Sequence, residues 1–207
     1  MISAPGQHGV VFTESSDGDI LGDSAARNML SESLGVPEDW ATVEQVHGDD
    51  VVRVRGPGGA GPADALWTTT KDLALAIFTA DCFGVVLGGP GAVGVAHAGW
   101  RGARSEIVSL LRREMEIAGH GPVRAAIGPG IGPCCFEVGP EVLEEFPDGR
   151  STTSWGTSSV DLRSAIRLQL EGLETWFSDR CTRHEEGLFS HRENATAQRM
   201  AAIGWIP

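Results

Sequence analysis

The sequence predicts an α/β fold: a sandwich of mixed β-sheet with flanking helices, in a single domain over residues 1–207. Segments with strand and helix patterns interleave along the chain, and at least one pair of strands is close enough in sequence to form a hairpin. The 207 residues are within the size of one domain, and 41% apolar residues suffice for a substantial core. No repeat or low-complexity segment divides the chain.

In the first third of the chain, secondary structure is predicted from short apolar or alternating segments that are separated by turns. Strands are predicted at Val10 to Phe12, Thr42 to Val46 and Val51 to Val54, and a helix from Ser24 to Leu34 that Asp23 caps and Gly35 ends. The second and third strands are predicted to form a hairpin with His47 at its bend, because residues 47–50 have turn composition. The Gly/Pro-rich segment from Gly56 to Pro62 is predicted to be a loop.

The middle of the chain contains buried strands that lead into an amphipathic helix. Apolar runs at Leu73 to Phe78, Phe83 to Leu87 and Val93 to Ala98 predict these strands. The stretch Gly99 to Gly102 then breaks the last strand just before the helix, which Gly119 ends. The apolar face of that helix consists of Ile107, Leu110, Leu111, Met115 and Ala118.

The last third is predicted from the same kinds of signal. The predicted elements are a strand at Val123 to Ile127, a Gly/Pro-rich loop from Gly128 to Cys135, a short helix from Pro140 to Phe146, an irregular segment from Thr152 to Ser159, a longer helix that Asp161 caps and whose apolar face extends to Phe177, and strands near Leu188 to His191 and Met200 to Ile206. This pattern completes the interleaving of strands and helices.

Charge and composition exclude several classes of partner. With a formal net charge of -12, the chain repels phosphate backbones and anionic membrane surfaces, so neither nucleic acid nor membrane is expected to bind. No stretch approaches the ~20 apolar residues of a membrane span, and Met1 to Val10 lacks a basic region followed by an apolar one, which predicts a cytoplasmic protein. The four cysteines, with Cys134 and Cys135 adjacent, do not resemble a secreted disulfide framework.

Three residues with metal-binding side chains are predicted to lie at strand ends or bends: His47, Cys82 and His97. One thiolate with two imidazoles is a common zinc set, and three protein ligands leave the open position of a catalytic site. Taken singly, each residue also fits a structural role, because a cysteine in an apolar run is usually in the core and a histidine at a turn is usually solvated.

The three residues are contained in three short motifs: Val46-His47-Gly48, Thr79-Ala80-Asp81-Cys82 and His97-Ala98-Gly99-Trp100-Arg101-Gly102. These motifs resemble the signatures of the YfiH-type family of laccase-domain proteins, which are also catalogued as polyphenol oxidases or peptidoglycan editing factors. The similarity continues through Ile127 to Gly139, Asp161-Leu162, Cys181-Thr182 and Phe189 to Arg192. It implies that His47, Cys82 and His97 bind one Zn²⁺.

The same resemblance implies an activity on purine nucleosides. The family's proposed reactions are phosphorolysis of adenosine, inosine and methylthioadenosine, and deamination of adenosine, so the expected partners are a small-molecule nucleoside and phosphate. Two departures from the family pattern bear on substrate preference. Phe136 stands where relatives have Tyr, and Thr196-Ala197-Gln198-Arg199 replaces their Thr-Gly-Arg.

Three residues near the zinc ligands are candidates for catalytic roles. A bound zinc would hold and polarise an oxygen nucleophile, either phosphate or water. Arg101, predicted to lie just ahead of a helix, is the candidate phosphate ligand, and a surface salt bridge is its structural alternative. Asp81 is a candidate to orient a metal ligand or to act as general acid, and otherwise caps a strand end. Trp100 could stack on a purine or anchor the helix start.

Three other functions use the same residues. Cys82 could be a nucleophile that a histidine activates, which would give an amidase or a hydrolase that edits peptidoglycan precursors. A copper polyphenol oxidase is less favoured, because multicopper sites need many imidazoles and the chain has six His with no His-x-His pair. The third alternative is a non-enzymatic binding module that zinc stabilises. Chelation of the zinc would lower its melting temperature, and no catalytic activity would be present.

Overall fold

A computed structural model describes all residues from 1 to 207. Its strands are β1 (Ile2–Ser3), β2 (Val10–Phe12), β3 (Ala41–Glu44), β4 (Val51–Arg53), β5 (Gly58–Pro62), β6 (Ala65–Thr68), β7 (Leu75–Thr79), β8 (Phe83–Gly89), β9 (Ala92–Ala98), β10 (Arg124–Ile127), β11 (Arg150–Thr152), β12 (Ser158–Val160), β13 (Glu174–Phe177) and β14 (Met200–Gly204). Its α-helices are α1 (Ser24–Leu34), α2 (Trp100–Arg104), α3 (Ile107–Ile117), α4 (Pro140–Leu143), α5 (Leu162–Leu168) and α6 (His191–Asn194). None of these helices combines the length and the apolar composition that a membrane-spanning helix needs.

The strands form two six-stranded sheets and one small two-stranded sheet. The first sheet has the order β1-β2-β14-β7-β3-β5, in which β7, β3 and β5 pair in parallel and the other neighbours pair antiparallel. The second has the order β13-β10-β8-β9-β6-β4, in which only the outermost pair at each edge is parallel. Both sheets are therefore mixed, which confirms the predicted fold class.

The sheets pack face to face, and helices cover both outer faces. The core between the sheets includes Phe12 and Ile77 from the first sheet and Val86 and Val95 from the second. A Cβ on Gly84 would lie 2.4 Å from the Cβ of Ala202, so a glycine is required where the two backbones approach. The outer core of the second sheet includes residues of α3 and α5, and that of the first sheet includes a residue of α1. These four layers agree with the predicted sandwich.

The predicted hairpin around His47 is wrong. β3 belongs to the first sheet and β4 to the second, so His47 lies in a connection between sheets. The predicted loop from Gly56 to Pro62 is also wrong, because β5 pairs in parallel with β3 at a sheet edge. Both errors arise because strand pairing depends on distant partners that local composition does not reveal.

The predicted helix after Gly102 begins earlier and is divided. α2 starts at Trp100, and Glu106, in the left-handed region at φ 59°, separates it from α3. Of the predicted apolar face, Leu110 is only half-buried and Ala118 is exposed, while the other members are buried. Arg101 is therefore in the first turn of a short helix rather than ahead of one.

Four further predictions in the last third need correction. The helix after Pro140 ends at Leu143, and the two ends of the segment predicted as irregular, Thr152 to Ser159, belong to the antiparallel pair β11 and β12. α5 ends at Leu168, and Phe177 belongs to β13, which pairs in parallel with β10. Residues 188–190 form no strand; Ser190 instead caps α6 through its hydroxyl, which accepts from the backbone N–H of Glu193.

Candidate metal centre and active-site cleft

The structure brings His47, Cys82 and His97 together from three separate parts of the chain. His47 lies between β3 and β4, Cys82 immediately precedes β8, and His97 is near the carboxyl end of β9. Their potential ligand atoms all lie within 4.8 Å of one another. The two imidazole rings have centroids 4.8 Å apart and planes at 78°, so both can face one ion beside the Cys82 thiol.

The local backbone is shaped to let these side chains meet. A Cβ on Gly99 would lie 2.9 Å from the Sγ of Cys82 and 3.5 Å from the Cδ2 of His47, so only glycine leaves the room they occupy. His47 and Asp81 both have positive φ, at 60° and 97°. Non-glycine residues adopt this conformation at an energetic cost, and such strain is concentrated at functional sites.

Asp64, which the sequence analysis did not identify, holds two of these residues in place. Its buried carboxylate lies 2.7 Å from the Nδ1 of His97. It also accepts hydrogen bonds from the backbone N–H groups of Val46, His47 and Gly48. Because Nδ1 of His97 is engaged by Asp64, Nε2 is the ring nitrogen that remains for a metal ion, as in carboxylate–histidine–metal arrangements.

Charges in the cluster shift two pKa values in opposite directions. Burial of Cys82 opposes ionisation, but hydrogen bonds with His47 and His97 outweigh it and lower the pKa of the thiol to about 6. Burial likewise opposes charge on His97, but the hydrogen bonds to Asp64 and Cys82 raise its pKa to about 9. Between these values the metal-free protein holds a thiolate beside an imidazolium. A metal ion can bind there because the thiolate is already deprotonated and the ion displaces the imidazolium proton.

The lowered pKa of Cys82 predicts the pH dependence of its alkylation. Since the thiolate is the reactive form, modification by iodoacetamide in metal-free protein should rise with pH and be half-maximal near pH 6, rather than near the ordinary thiol pKa of 9. Peptide mass spectrometry after timed alkylation distinguishes Cys82 from the other cysteines. Added Zn²⁺ should block the reaction. A half-maximal pH of 8 or above, or no protection by zinc, would contradict this electrostatic account.

The cluster opens into a cleft of about 630 Å³. This volume is within the range of pockets for small organic ligands. Trp100, Arg101, Phe136, Arg192 and Arg199 all contribute to its lining. The cleft therefore combines aromatic surface with positive charge beside the candidate metal ligands.

Asp81 lies in the cleft, but the structure gives it different partners from those expected of a residue that orients a metal ligand. Its Oδ1 accepts a hydrogen bond of 2.7 Å from the hydroxyl of Thr182, and its Oδ2 accepts one of 2.7 Å from the backbone N–H of Arg192. Asp81 thus connects two segments of the cleft wall. The carboxylate that orients a candidate ligand is Asp64.

The donor set of His47, Cys82 and His97, the first cluster, fits a metal ion. A second cluster elsewhere in the chain also has a donor set that fits a metal ion. Potential ligand atoms of Cys134, Cys135, Cys181 and His184 also lie within 4.8 Å of one another. From the sequence, Cys134 and Cys135 ended a predicted loop, Cys181 belonged to the family resemblance without an assigned role, and His184 was not identified as a candidate.

A family model described as "Multi-copper polyphenol oxidoreductase laccase" matches residues 21–207 of the chain. The chain belongs to this YfiH-type laccase-domain family. Among its relatives, a protein of Streptomyces coelicolor named purine nucleoside phosphorylase is 35% identical, over 97% of this chain and 91% of its own. A relative of Geobacillus stearothermophilus with the same activity name and the designation YlmD is 37% identical, over 86% and 77%.

Solved structures of other family members share the fold. The crystal structure of YlmD from Geobacillus stearothermophilus has a TM-score of 0.81 and 32% identity, over 100% of this chain and 89% of that one. The hypothetical protein YfiH from Bacillus licheniformis also has a TM-score of 0.81, with 26% identity over 89% and 80%. These two proteins therefore share the overall fold of this chain.

Proposed function

We propose that this YfiH-type protein is a zinc-dependent purine nucleoside phosphorylase that acts on adenosine, inosine and methylthioadenosine and also deaminates adenosine. The observation that carries the proposal is the convergence of His47, Cys82 and His97 at a cleft of suitable size. The names of the relatives support the choice of reaction. Three protein ligands leave room for a substrate oxygen, as a catalytic zinc requires.

In phosphorolysis, a phosphate oxygen forms a bond to the sugar carbon that carries the base, while the bond from that carbon to the purine nitrogen breaks. The products are the free base, which gains a proton, and ribose 1-phosphate or methylthioribose 1-phosphate. A zinc ion bound at the cluster would polarise the attacking oxygen of phosphate, or of water in deamination. Asp64 keeps His97 oriented, Trp100 offers a ring for stacking, and Asp81 holds the cleft wall through Thr182 and Arg192. The proton that the base gains is the one that hydrogen phosphate loses.

Arg101 is the best-placed group in the cleft for binding phosphate. Arg192 already donates to the backbone carbonyl of Glu137, and Arg199 donates to the carbonyls of Thr196 and Gln198. The guanidinium of Arg101 makes neither a hydrogen bond nor an ion pair within the chain and rests 4.3 Å from the ring centroid of Trp100. Its donors are therefore free for a bidentate contact with phosphate.

The test is to replace Arg101 with lysine and measure both reactions. Arg101→Lys keeps the charge but loses the planar fork, so phosphorolysis should fall by roughly ten- to a hundredfold while zinc stays bound. Deamination should fall much less, because water needs no guanidinium clamp. Release of base with phosphate and formation of inosine from adenosine without phosphate measure the two rates.

The matched control is Arg104→Lys. Arg104 is in the same helix, but it is paired with Glu145 and does not line the cleft, so this variant should leave both rates unchanged. An equal loss of both activities in Arg101→Lys, or no loss of either, would show that Arg101 does not bind the phosphate nucleophile.

One observation favours a second candidate function. The lowered pKa of Cys82 beside two histidines is also what a nucleophilic thiolate requires, so an amidase acting on a peptidoglycan precursor would use the same residues. Such an enzyme would be active without metal. A metal-stripped protein that hydrolyses an amide substrate and is inhibited by iodoacetamide would favour this function over phosphorolysis.

Copper-dependent phenol oxidation is less well supported by the donor set. Two imidazoles and one thiolate suit a zinc ion and also a single copper centre. The further copper ions of a multicopper oxidase require additional imidazoles close by, whereas the first cluster contains two of the chain's six histidines and the second contains one. We therefore propose zinc, with nucleoside and phosphate as the small-molecule partners.

A further inference from the structure

The second cluster has ligand spacings close to those of a tetrahedral metal site. The Sγ of Cys135 lies 3.4 Å from the Nδ1 of His184, and the Sγ of Cys134 lies 3.7 Å from the same nitrogen. In a tetrahedral zinc site with bonds of about 2.3 Å to sulfur and about 2.0 Å to nitrogen, a sulfur and a nitrogen ligand are about 3.5 Å apart. All four cysteines of the chain are unpaired, so these thiols are available to a metal.

The backbone brings these ligands together from two segments. Backbone N–H groups of Cys135 and Phe136 both donate to the carbonyl of Gly132, which forms a tight turn at the adjacent cysteines. Cys181 and His184 come from the other segment, and their Cys-x-x-His spacing is short enough for one loop to supply two ligands. The backbone N–H of Gly132 donates to the Sγ of Cys181 at 3.2 Å, the kind of hydrogen bond that supports a metal-bound thiolate.

Two neighbouring residues favour this arrangement. A Cβ on Gly132 would lie 3.3 Å from the Sγ of Cys134 and 3.6 Å from that of Cys181, so glycine leaves the space between the two sulfurs open. On the other side, the carboxylate of Glu185 accepts the backbone N–H of Cys181 at 2.9 Å and pairs with Arg180. The backbone at Cys181 is therefore held by contacts that do not involve its thiol.

We infer that Cys134, Cys135, Cys181 and His184 form a second metal site, which binds Zn²⁺ as a closed Cys₃His centre. Three soft thiolates and one imidazole fill all four tetrahedral positions, which is typical of structural zinc. On binding, three thiols release their protons and the imidazole is neutral. The site shares no ligand with the first cluster and has no open position for substrate, so it goes beyond the proposed phosphorylase function.

The position of this site indicates what it stabilises. The loop that contains Cys134 also contributes Ile131 and Phe136 to the cleft, and Cys181 is followed by Thr182, whose hydroxyl donates to Asp81. Without metal, the two segments are joined by a bridge between Gly130 and Cys181 and by the hydrogen bond from Gly132 to the Cys181 sulfur. A zinc ion held by both segments would fix one wall of the cleft without contacting the reactants.

The experiment counts metal at the second site alone. In a His47→Ala/Cys82→Ala variant the first cluster loses two of its three ligands, so zinc that remains reports on the second. After reduction, loading with Zn²⁺ and desalting, elemental mass spectrometry should find about one zinc per chain. With Co²⁺ in place of Zn²⁺, the thiolate-to-metal absorption should have the intensity expected for three thiolates.

Adding His184→Ala to this variant should weaken its affinity for zinc by roughly a hundredfold or more, which exceeds the usual effect of losing an outer-sphere partner. Competition with a chromophoric chelator measures the affinity. His184 is exposed, so its removal leaves the core intact. The matched control is His8→Ala, another exposed histidine, which should leave affinity unchanged. The inference is overturned if the background variant holds no zinc, if its purified form contains a disulfide between these cysteines, if cobalt reports one thiolate, or if His184→Ala leaves affinity unchanged. None of these readouts depends on phosphorylase activity.

Discussion

Replacing Cys82 with alanine is expected to remove one zinc per chain and to lower phosphorolysis at least about a thousandfold. Cys82 is the only thiol in the first cluster, and the two histidines left behind are too few donors to retain the ion. The loss of rate follows because the metal contributes several kcal/mol of charge stabilisation in such reactions. Zinc content and phosphate-dependent release of hypoxanthine from inosine are the two measurements.

Cys82→Ala is a cleaner test than His97→Ala, because His97 is buried against Asp64 and its loss leaves that carboxylate without its ring partner. His8→Ala, a change at an exposed residue outside both clusters, should keep full zinc content and activity. Thermal unfolding of Cys82→Ala should confirm that the chain is folded. Undiminished zinc in this variant, or phosphorolysis that survives complete removal of metal from the unaltered protein, would contradict the proposed role of the first cluster.

The sequence was most informative where the signal is local. Val10 to Phe12, the capped helix from Ser24 to Leu34 and the strand that begins at Met200 are as predicted, because apolar patterning and caps act over a few residues. Prediction failed for the pairing of β4 and for the existence of β5, because both depend on partners in other parts of the chain. The Gly-rich sequence of β5 does not favour a strand, but its backbone pairs with β3 and forms one at the edge of the first sheet.

The candidate site shows the same division. His47, Cys82 and His97 are far apart in sequence, and their grouping was predicted from motif resemblance rather than from spacing. Asp64 was missed because it belongs to no such motif. The sequence feature that could have identified it is a lone carboxylate between Ala63 and Ala65. Both alanines are buried, and a charged residue among buried neighbours must have partners.

Asp64→Asn is expected to weaken zinc binding at the first cluster by roughly ten- to a hundredfold, the usual effect of losing an outer-sphere partner of a metal-bound histidine. The change keeps the shape of the side chain but removes its negative charge. The pKa of His97, about 9 beside Asp64, should therefore fall toward its ordinary 6.5 in metal-free protein, which NMR titration of the imidazole measures. The free energy of unfolding should fall by about 3 kcal/mol, as it does when one partner of a buried charged pair is removed.

The stability loss has a second source in the backbone. The carboxylate accepts from three consecutive N–H groups, at residues 46–48, as well as from His97, and an amide has one oxygen to serve them. An N–H left unpaired there would loosen the connection that carries His47, so both histidine ligands are affected by one substitution. Asp49→Asn, at an exposed carboxylate in the same connection, is the matched control and should change neither zinc affinity nor the pKa of His97. If Asp64→Asn lowers stability but leaves zinc affinity and that pKa unchanged, Asp64 supports the fold alone and does not position the metal ligands.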